Sequence, residues 1–323
     1  MAESSRTQHF ESIDLLRGGA AIAVCLYHFT YGFLQPEQWL RVLSHYGYLG
    51  VQAFFVISGF VIPYSFAQKS YTWGTFPVFF RKRAIRIEPA YWVSIALMLL
   101  MDLSARLNPY NTVPVPDHSL GNILLHIPHA NALLGQPWIR EIYWTLAIDW
   151  QFFLLICLLF PLLQRPAWWL RYPFLLLFCA WHWYCGEAWL GYHAFPFVAG
   201  MLFFYFQHKH LGRVELYAAW GLLLAATYYK MGITHTLAIT VSLAVIHAVR
   251  GTWAWLAGIG KISYSVYLTH VFSGWTLCSI TGLFIDNQWI RAFIIVLATW
   301  ASLVFARYFY DKVEAPTQHW ARK

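Results

Sequence analysis

Charged residues are scarce in this sequence. Only 11% of its 323 residues are Asp, Glu, Lys or Arg, less than half of the roughly 25% that is usual in soluble domains. Hydrophobic residues make up 59% of the chain and aromatic residues 20%, and apolar runs long enough to cross a bilayer recur along nearly all of it. This composition excludes a soluble domain and predicts an all-α, polytopic transmembrane helical bundle.

Three further features are missing. The alternating segments of a membrane β-barrel are not seen. The five cysteines are odd in number and lack metal-ligand spacing, and no zinc or haem ligand set stands out, so no metal cofactor is predicted. No cleavable signal peptide is recognisable, because Asp14 and Arg17 interrupt the first apolar run. We therefore expect this run to insert as an uncleaved first span.

Apolar runs predict about ten spans. Their approximate ranges are 13–34, 46–67, 84–103, 140–163, 171–186, 190–208, 213–230, 233–250, 254–278 and 289–310. Five of the 22 Lys and Arg residues then fall on the outer side (Arg41, Arg106, Arg140, Lys230 and Arg291), and the other 17 on the cytoplasmic side. This asymmetry predicts that both termini are cytoplasmic. The net charge of +8 therefore serves orientation and membrane lipid contact, and it requires no nucleic-acid partner.

The whole chain, 1–323, is predicted to form a single membrane-embedded domain. Its connections are short except for 104–139, which lies on the predicted outer side. This stretch combines several prolines with an apolar piece near 120–135, so we expect an outer loop with an interfacial or re-entrant helix. Loops of this length are often functional.

The first span contains Arg17 and His28, which are eleven residues apart. At about 100° per residue both lie on one helix face, separated by about 16 Å. Ionisable residues inside a span mark functional sites by default, and histidine exchanges protons near neutral pH. The structural alternatives are a packing role for His28 and an Arg17 that snorkels to the interface.

Asp149 lies about nine residues into the fourth span, near the predicted midplane. A buried acid there would orient an imidazole, such as that of His28, and stabilise its charged form. The alternative is a salt bridge to a structural cation.

A cationic cluster, Arg81, Lys82, Arg83 and Arg86, lies at the predicted inner face. Part of this charge orients the protein and contacts anionic lipid. Arginines also bind phosphate oxygens in bidentate fashion. The cluster therefore also predicts a receptor for a cytosolic polyphosphate.

Three more residues are candidate substrate contacts. Ser58 precedes Gly59 in the middle of the second span, where close packing of small residues is the favoured alternative. Tyr267 and His270 belong to SYSVYLTH, and they line either a polar substrate face or an interhelical hydrogen-bond ladder. A hydrolase triad of Ser58, His28 and Asp149 fits by residue type, but the sequence around Ser58 indicates helix packing rather than a strained nucleophile turn.

Six segments, in this order, resemble the acyltransferase-3 family of integral-membrane acyltransferases. They are IDLLRGGAAIAVCLYH (13–28), GVQAFFVISGFVI (50–62), FFRKRAIRIEPAYW (79–92), WTLAIDWQFF (144–153), ISYSVYLTH (262–270) and VEAP (313–316). The resemblance implies that Arg17 and His28 are catalytic. Asp149 stands where the family commonly has Glu, and it is the third predicted catalytic residue because a buried acid there would orient a histidine. It also implies that Arg81, Arg83 and Arg86 contact acyl-CoA.

The expected function is O-acyl transfer, most simply of acetyl, from cytosolic acyl-CoA as co-substrate to a hydroxyl of a cell-surface or lipid-linked glycan. The expected location is the bacterial inner membrane. One rival is a proton-coupled secondary transporter with a relay through intramembrane histidines and Asp149. Another is a non-catalytic membrane component of a polysaccharide synthesis complex. The sequence predicts no oligomeric state.

Overall fold

The computed structural model describes residues 11–108, 118–164, 167–249 and 253–322. These residues form helices and connecting turns, and no strand occurs among them. The α-helices are α1 (Glu11–Tyr31), α2 (Trp39–Ser44), α3 (Gly50–Gln68), α4 (Phe76–Leu107), α5 (Leu120–Leu124), α6 (Trp144–Leu163), α7 (Trp168–Ala180), α8 (Ala194–Gln207), α9 (Arg213–Ala248), α10 (Ala254–Lys261), α11 (Ser263–His270), α12 (Thr276–Gly282), α13 (Gln288–Phe309) and α14 (Ala315–Arg322). Two π-helical turns, Val271–Trp275 and Tyr310–Glu314, interrupt the last third of the chain. The all-α prediction is confirmed.

Among the residues that the structure describes, five helical stretches are long and apolar enough to cross a membrane. They are Trp39–Gln68, Trp73–Leu107, Glu141–Leu163, Arg213–Ala248 and Gln288–Ala321. Several of the other predicted spans correspond to helices that are shorter or interrupted. The total of ten spans and the cytoplasmic termini therefore stay predictions.

Helix α9 is a hairpin rather than one straight helix. At Gly232 the backbone has φ 79° and ψ −179°, a conformation that is accessible essentially only to glycine. The Tyr217 hydroxyl lies 2.9 Å from His247 Nε2, whereas 30 residues of straight helix would separate them by about 45 Å. The chain therefore doubles back at the predicted boundary between 213–230 and 233–250.

Helices α3 and α8 pack with their backbones in close contact. A Cβ added at Gly59 would overlap the carbonyl oxygen of Phe197, and one added at Gly200 would overlap the carbonyl oxygen of Val56. Small residues permit this approach, as is common between membrane helices. The predicted packing role at Ser58–Gly59 is confirmed for Gly59.

This packing predicts that Gly59→Ala destabilises the protein by about 1–3 kcal/mol, the usual cost of overpacking. The contacting atoms are backbone atoms of α8, which cannot move aside as a side chain can. The free energy of unfolding in detergent measures the effect. The matched control is Gly221→Ala in α9, where an added Cβ meets nothing within 4 Å. Equal destabilisation by both variants would contradict the packing argument.

The segment 118–139 follows α4 and returns along it. The side chains of His118 and Arg140, near its two ends, both bond to Asp102. Between them, His129 Nε2 lies 3.0 Å from Glu88 Oε1. Asp102 and Glu88 are about 21 Å apart along α4, at 1.5 Å per residue. The described part of the predicted outer loop therefore packs lengthwise on α4, and residues 109–117 lie outside the described residues.

Candidate active site

A cavity of about 520 Å³ extends along α3, well within the range of ligand pockets. Its lining residues on α3 begin at Val51 and continue, turn after turn, to Lys69 just beyond the helix end. This stretch measures about 27 Å along the helix axis. Residues of α1, α4, α6, α11 and α14 form the other walls. The cavity is therefore long enough for an extended ligand.

The cavity brings most of the predicted site residues together. Its lining includes Arg17, Ser58, Arg83, Arg86, Asp149 and Tyr267. The remaining predicted residues, Arg81, His28 and His270, do not line it. None of the six lining residues is adjacent in sequence to another, so folding alone assembles them.

One end of the cavity is cationic. Lys69, Lys82 and Arg86 line it there, and burial, followed by the positive charges of Lys82 and Arg86, lowers the pKa of Lys69. Lys82 and Arg86 are one turn apart and share a face of α4. Arg81 points elsewhere and is exposed. The structure therefore places Lys82 in the cavity, where the sequence prediction had named Arg81.

Asp149 pairs with Arg83 across the cavity wall. The two side chains are only 23% and 15% exposed. The Arg83 guanidinium also lies 4.5 Å from the ring centroid of Phe153, so it is clamped between a carboxylate and an aromatic face. This arrangement matches the alternative role given above for Asp149, a salt bridge to a structural cation. Among the described contacts Asp149 does not meet a histidine.

Arg17 lies close enough to a second carboxylate, that of Glu314, to interact with it electrostatically. Its Nε donates to Ser263 Oγ at 3.1 Å, and its charge acts on Glu314, as does that of Arg86. Glu314 is 3% exposed, and it accepts hydrogen bonds from Ser265 and Gln318. It lies in the VEAP segment at the end of a π-helical turn, a feature common at functional sites. The VEAP segment is therefore the sequence feature from which a role for Glu314 could have been predicted.

His28 and His270 form a pair beside the cavity. Their ring centroids are 5.1 Å apart. His270 is fully buried, and its Nδ1 donates to the carbonyl oxygen of Tyr267 at 2.7 Å. Its Nε2 therefore carries a lone pair, and no described residue bonds to it. Tyr267 lines the cavity one turn before His270, and the two ring centroids are 5.9 Å apart, so His270 lies next to the cavity wall.

Arg17 and His28 both face α11, as their spacing predicted. Arg17 contacts Ser263 at the beginning of α11, and His28 contacts His270 at its end. The two helices therefore run side by side in the same direction. Arg17 lies at the cavity and His28 lies beyond it.

The sequence profile of one family, described as an acyltransferase domain, matches residues 10–307, which is nearly the whole chain. The chain belongs to the acyltransferase-3 family. Together with its long apolar helices, this membership makes it an integral-membrane acyltransferase.

A curated relative of this acyltransferase is "Protein 2 in picA locus" of Rhizobium radiobacter. The two are 34% identical over 95 residues, which are 29% of this chain and 46% of that protein. The chain thus spans about half the length of the relative. No solved structure matches the acyltransferase significantly.

The acyltransferase does not assemble the hydrolase triad that residue types allowed. Ser58 lines the cavity, Asp149 is bound to Arg83, and His28 lies against His270. No hydrogen bond joins these three among the described contacts. Ser58 therefore has the position of a cavity-wall hydroxyl rather than that of an activated nucleophile.

Proposed function

We propose that this acyltransferase transfers an acyl group, most simply acetyl, from cytosolic acyl-CoA to a hydroxyl of a cell-surface or lipid-linked glycan in the bacterial inner membrane. The observation that carries the proposal is the long cavity with three cations at one end. Acyl-CoA is an extended molecule with phosphates at one end and a thioester at the other. Family membership supports acyl transfer, and the shape and charge of the cavity support this donor.

The cationic end would hold the phosphates of the donor. Lys82 is well suited to this role, because no described acidic side chain pairs with it, whereas the charge of Arg83 is taken up by Asp149. Lysine and arginine contacts to phosphate are charge-assisted and hence strong. The acyl arm would then extend along the face of α3, past Ser58 and toward Tyr267.

Two chemical roles are proposed for His28. As a general base, its imidazole takes the proton of the acceptor hydroxyl while the oxygen attacks the thioester carbonyl. The carbon–sulfur bond then breaks and the CoA thiolate leaves, to be protonated afterwards. As a nucleophile, the imidazole first displaces the thiolate to give an acyl-imidazole, which the hydroxyl then attacks. In either case His270 supports the imidazole from the side.

Arg17 either holds a donor phosphate or polarises the acyl carbonyl. Both roles need a cation that is fixed in place. The bond to Ser263 and the nearby charge of Glu314 provide this fixing. A preorganised cation of this kind stabilises charge that develops on an acyl oxygen.

Proton-coupled transport is the second candidate, because a buried histidine pair is also what a proton relay uses. It predicts flux in proteoliposomes without acyl-CoA. Acyl transfer predicts instead that cells expressing the protein carry an added acyl mass on surface glycans or lipids, detected by mass spectrometry. The absence of this increment, with the protein well inserted, would count against the proposal. An unchanged glycan phenotype after His28→Ala would also count against it, because a non-catalytic component of a polysaccharide synthesis complex predicts that result.

The cationic end also yields a prediction for donor affinity. Lys82→Gln is expected to weaken binding of acetyl-CoA about tenfold, since a hydrogen bond to a charged group contributes about 1.5–3 kcal/mol. Isothermal titration with the purified protein in nanodiscs measures the change. The matched control is Arg81→Gln, an adjacent cation that is exposed and outside the cavity. Equal effects of both variants would indicate nonspecific attraction and contradict the assignment of Lys82.

A further inference from the structure

A second cavity of about 330 Å³ lies on the other side of α6. Trp144, Ala147 and Ile148 of α6 face it, while Thr145 and Asp149 face the first cavity. One helix therefore separates the two cavities. The segment 118–139 and residues 187–193 contribute the remaining walls. In the predicted topology this cavity is on the outer side.

Two buried histidines, His129 and His193, form part of its lining, and each has one ring nitrogen without a hydrogen-bond partner among the described residues. His129 Nε2 lies 3.0 Å from Glu88 Oε1, and His193 Nε2 lies 2.9 Å from the carbonyl oxygen of Glu187. Both oxygens are acceptors, so each Nε2 carries a proton, and in the neutral form of each ring the Nδ1 is a hydrogen-bond acceptor. Both Nδ1 atoms are buried and lack a hydrogen-bond partner among the described residues. Both residues are only 6% exposed.

His126, in the segment 118–139, shows what a packing role looks like. His126 Nδ1 donates to the carbonyl oxygen of Asn122 at 3.1 Å, and its Nε2 accepts from the Ile139 N–H at 3.3 Å. Burial lowers the pKa of His126 to about 4, which keeps the ring neutral. Buried polar atoms are satisfied in most proteins, so the unpaired Nδ1 atoms of His129 and His193 are candidate ligand contacts.

The rest of the cavity is rich in acceptors and has an apolar surface. Glu141 and Glu187 line it and are exposed, so their carboxylates add acceptor oxygens. Trp144 contributes a half-buried indole, which stacks on His193 with ring centroids 5.0 Å apart. A matching ligand must therefore bring several donors and one apolar face, and an anion would be repelled.

We propose that the second cavity binds a neutral polyhydroxylated ligand, namely a sugar ring of the acyl acceptor. Its hydroxyls donate to His129 Nδ1, His193 Nδ1 and the Glu141 carboxylate, and its apolar face packs on Trp144. That this sugar receives the acyl group rests on the function proposed above, whereas its binding in the cavity does not.

The partition between the two cavities supports this arrangement. Phe55 lines the first cavity, and its ring centroid lies 6.0 Å from that of Trp144 and 5.6 Å from that of His193. Both of these residues line the second cavity. Beside α6, an aromatic layer of Phe55, Trp144 and His193 therefore links the walls of the two cavities.

The test is sugar binding in the absence of acyl-CoA. Saturation-transfer NMR is recorded on the full-length protein in nanodiscs free of sugar detergents, with the methyl glycosides of glucose, galactose, mannose and N-acetylglucosamine as probes. Gln136→Trp fills the cavity from its exposed rim, and we expect it to weaken binding of at least one glycoside more than tenfold. His193→Gln and Glu141→Gln are expected to weaken it severalfold. Leu134→Trp is the matched control, since Leu134 is exposed and does not line the cavity.

The absence of a signal from every glycoside, or signals that Gln136→Trp leaves unchanged, would overturn the proposal. A signal from tetramethylammonium that Gln136→Trp removes, with none from the sugars, would overturn it in favour of a cation site. Acetyl-CoA titration separates this result from the donor proposal. If Gln136→Trp removes glycoside binding and the wild type does not bind acetyl-CoA, the sugar site is upheld and the acyl-CoA donor is refuted. If the wild type binds acetyl-CoA but no glycoside, the sugar site is refuted and the donor is upheld.

Discussion

Alanine at His28 is expected to lower acyl transfer by about 10²–10⁴-fold, the usual contribution of a positioned general base. As a nucleophile His28 would be indispensable, and the loss would be at least as large. The measurement is the rate of acetyl transfer by purified protein in nanodiscs, together with the acyl mass increment on surface glycans of expressing cells.

The control for this prediction is His45→Ala. His45 is an exposed histidine in the turn after α2, so its loss tests whether removal of any imidazole reduces activity. His28→Gln keeps most of the side-chain volume and checks that the fold is intact. Activity above about a tenth of wild type in both His28 variants would refute a catalytic role for this residue, because a loss of less than about tenfold is far smaller than removal of a general base should cause.

Kinetics would then distinguish the two chemical roles of His28. Initial-rate patterns that are parallel when both substrates are varied indicate an acyl-enzyme intermediate. Intersecting patterns indicate direct transfer in a ternary complex. Mass spectrometry of the intact protein after exposure to acetyl-CoA alone would detect an added acetyl group in the first case only.

The second large effect is expected from the Arg83–Asp149 pair. Asp149→Asn removes the partner of a mostly buried guanidinium, and loss of one partner of a buried ion pair costs about 3–5 kcal/mol. Because the two side chains are 15% and 23% exposed, the lower end of this range is the better expectation. The free energy of unfolding in detergent, or the corresponding shift in Tm, measures the loss.

A double-mutant cycle isolates the interaction. Arg83→Met combined with Asp149→Asn removes both charges, so the double variant is expected to be more stable than the sum of the two single effects predicts. The matched control is Asp311→Asn, which breaks the exposed pair with Arg307 and should change stability by less than about 1 kcal/mol. Strictly additive effects at positions 83 and 149 would show that the pair contributes nothing.

Asp149 illustrates where sequence reasoning ended. Its burial was predictable from its place in an apolar run, but its partner was not. Arg83 and His28 were both candidate partners of Asp149, and which of them contacts it depends on how α4 and α1 pack against α6. The structure places Arg83 there. The same limit applies to Lys82, whose face of α4 is decided by the helix's neighbours rather than by its own sequence.

The sequence by itself determined the class of the protein. Apolar runs with few charges specify membrane helices, because a backbone in lipid must satisfy its own hydrogen bonds. Spacing placed Arg17 and His28 on one face, since helical geometry is local and regular. Six short segments in a fixed order were sufficient to indicate the acyltransferase-3 family.

Only the tertiary structure decided which groups meet. Arg17 and Ser263 are 246 residues apart in the chain, and His28 meets His270 over a similar separation. The unpaired Nδ1 atoms of His129 and His193 became visible only when the partners of their other nitrogens were known. Such contacts depend on helix packing across the whole bundle, and no local pattern encodes the neighbour of a side chain that packing selects from several helices.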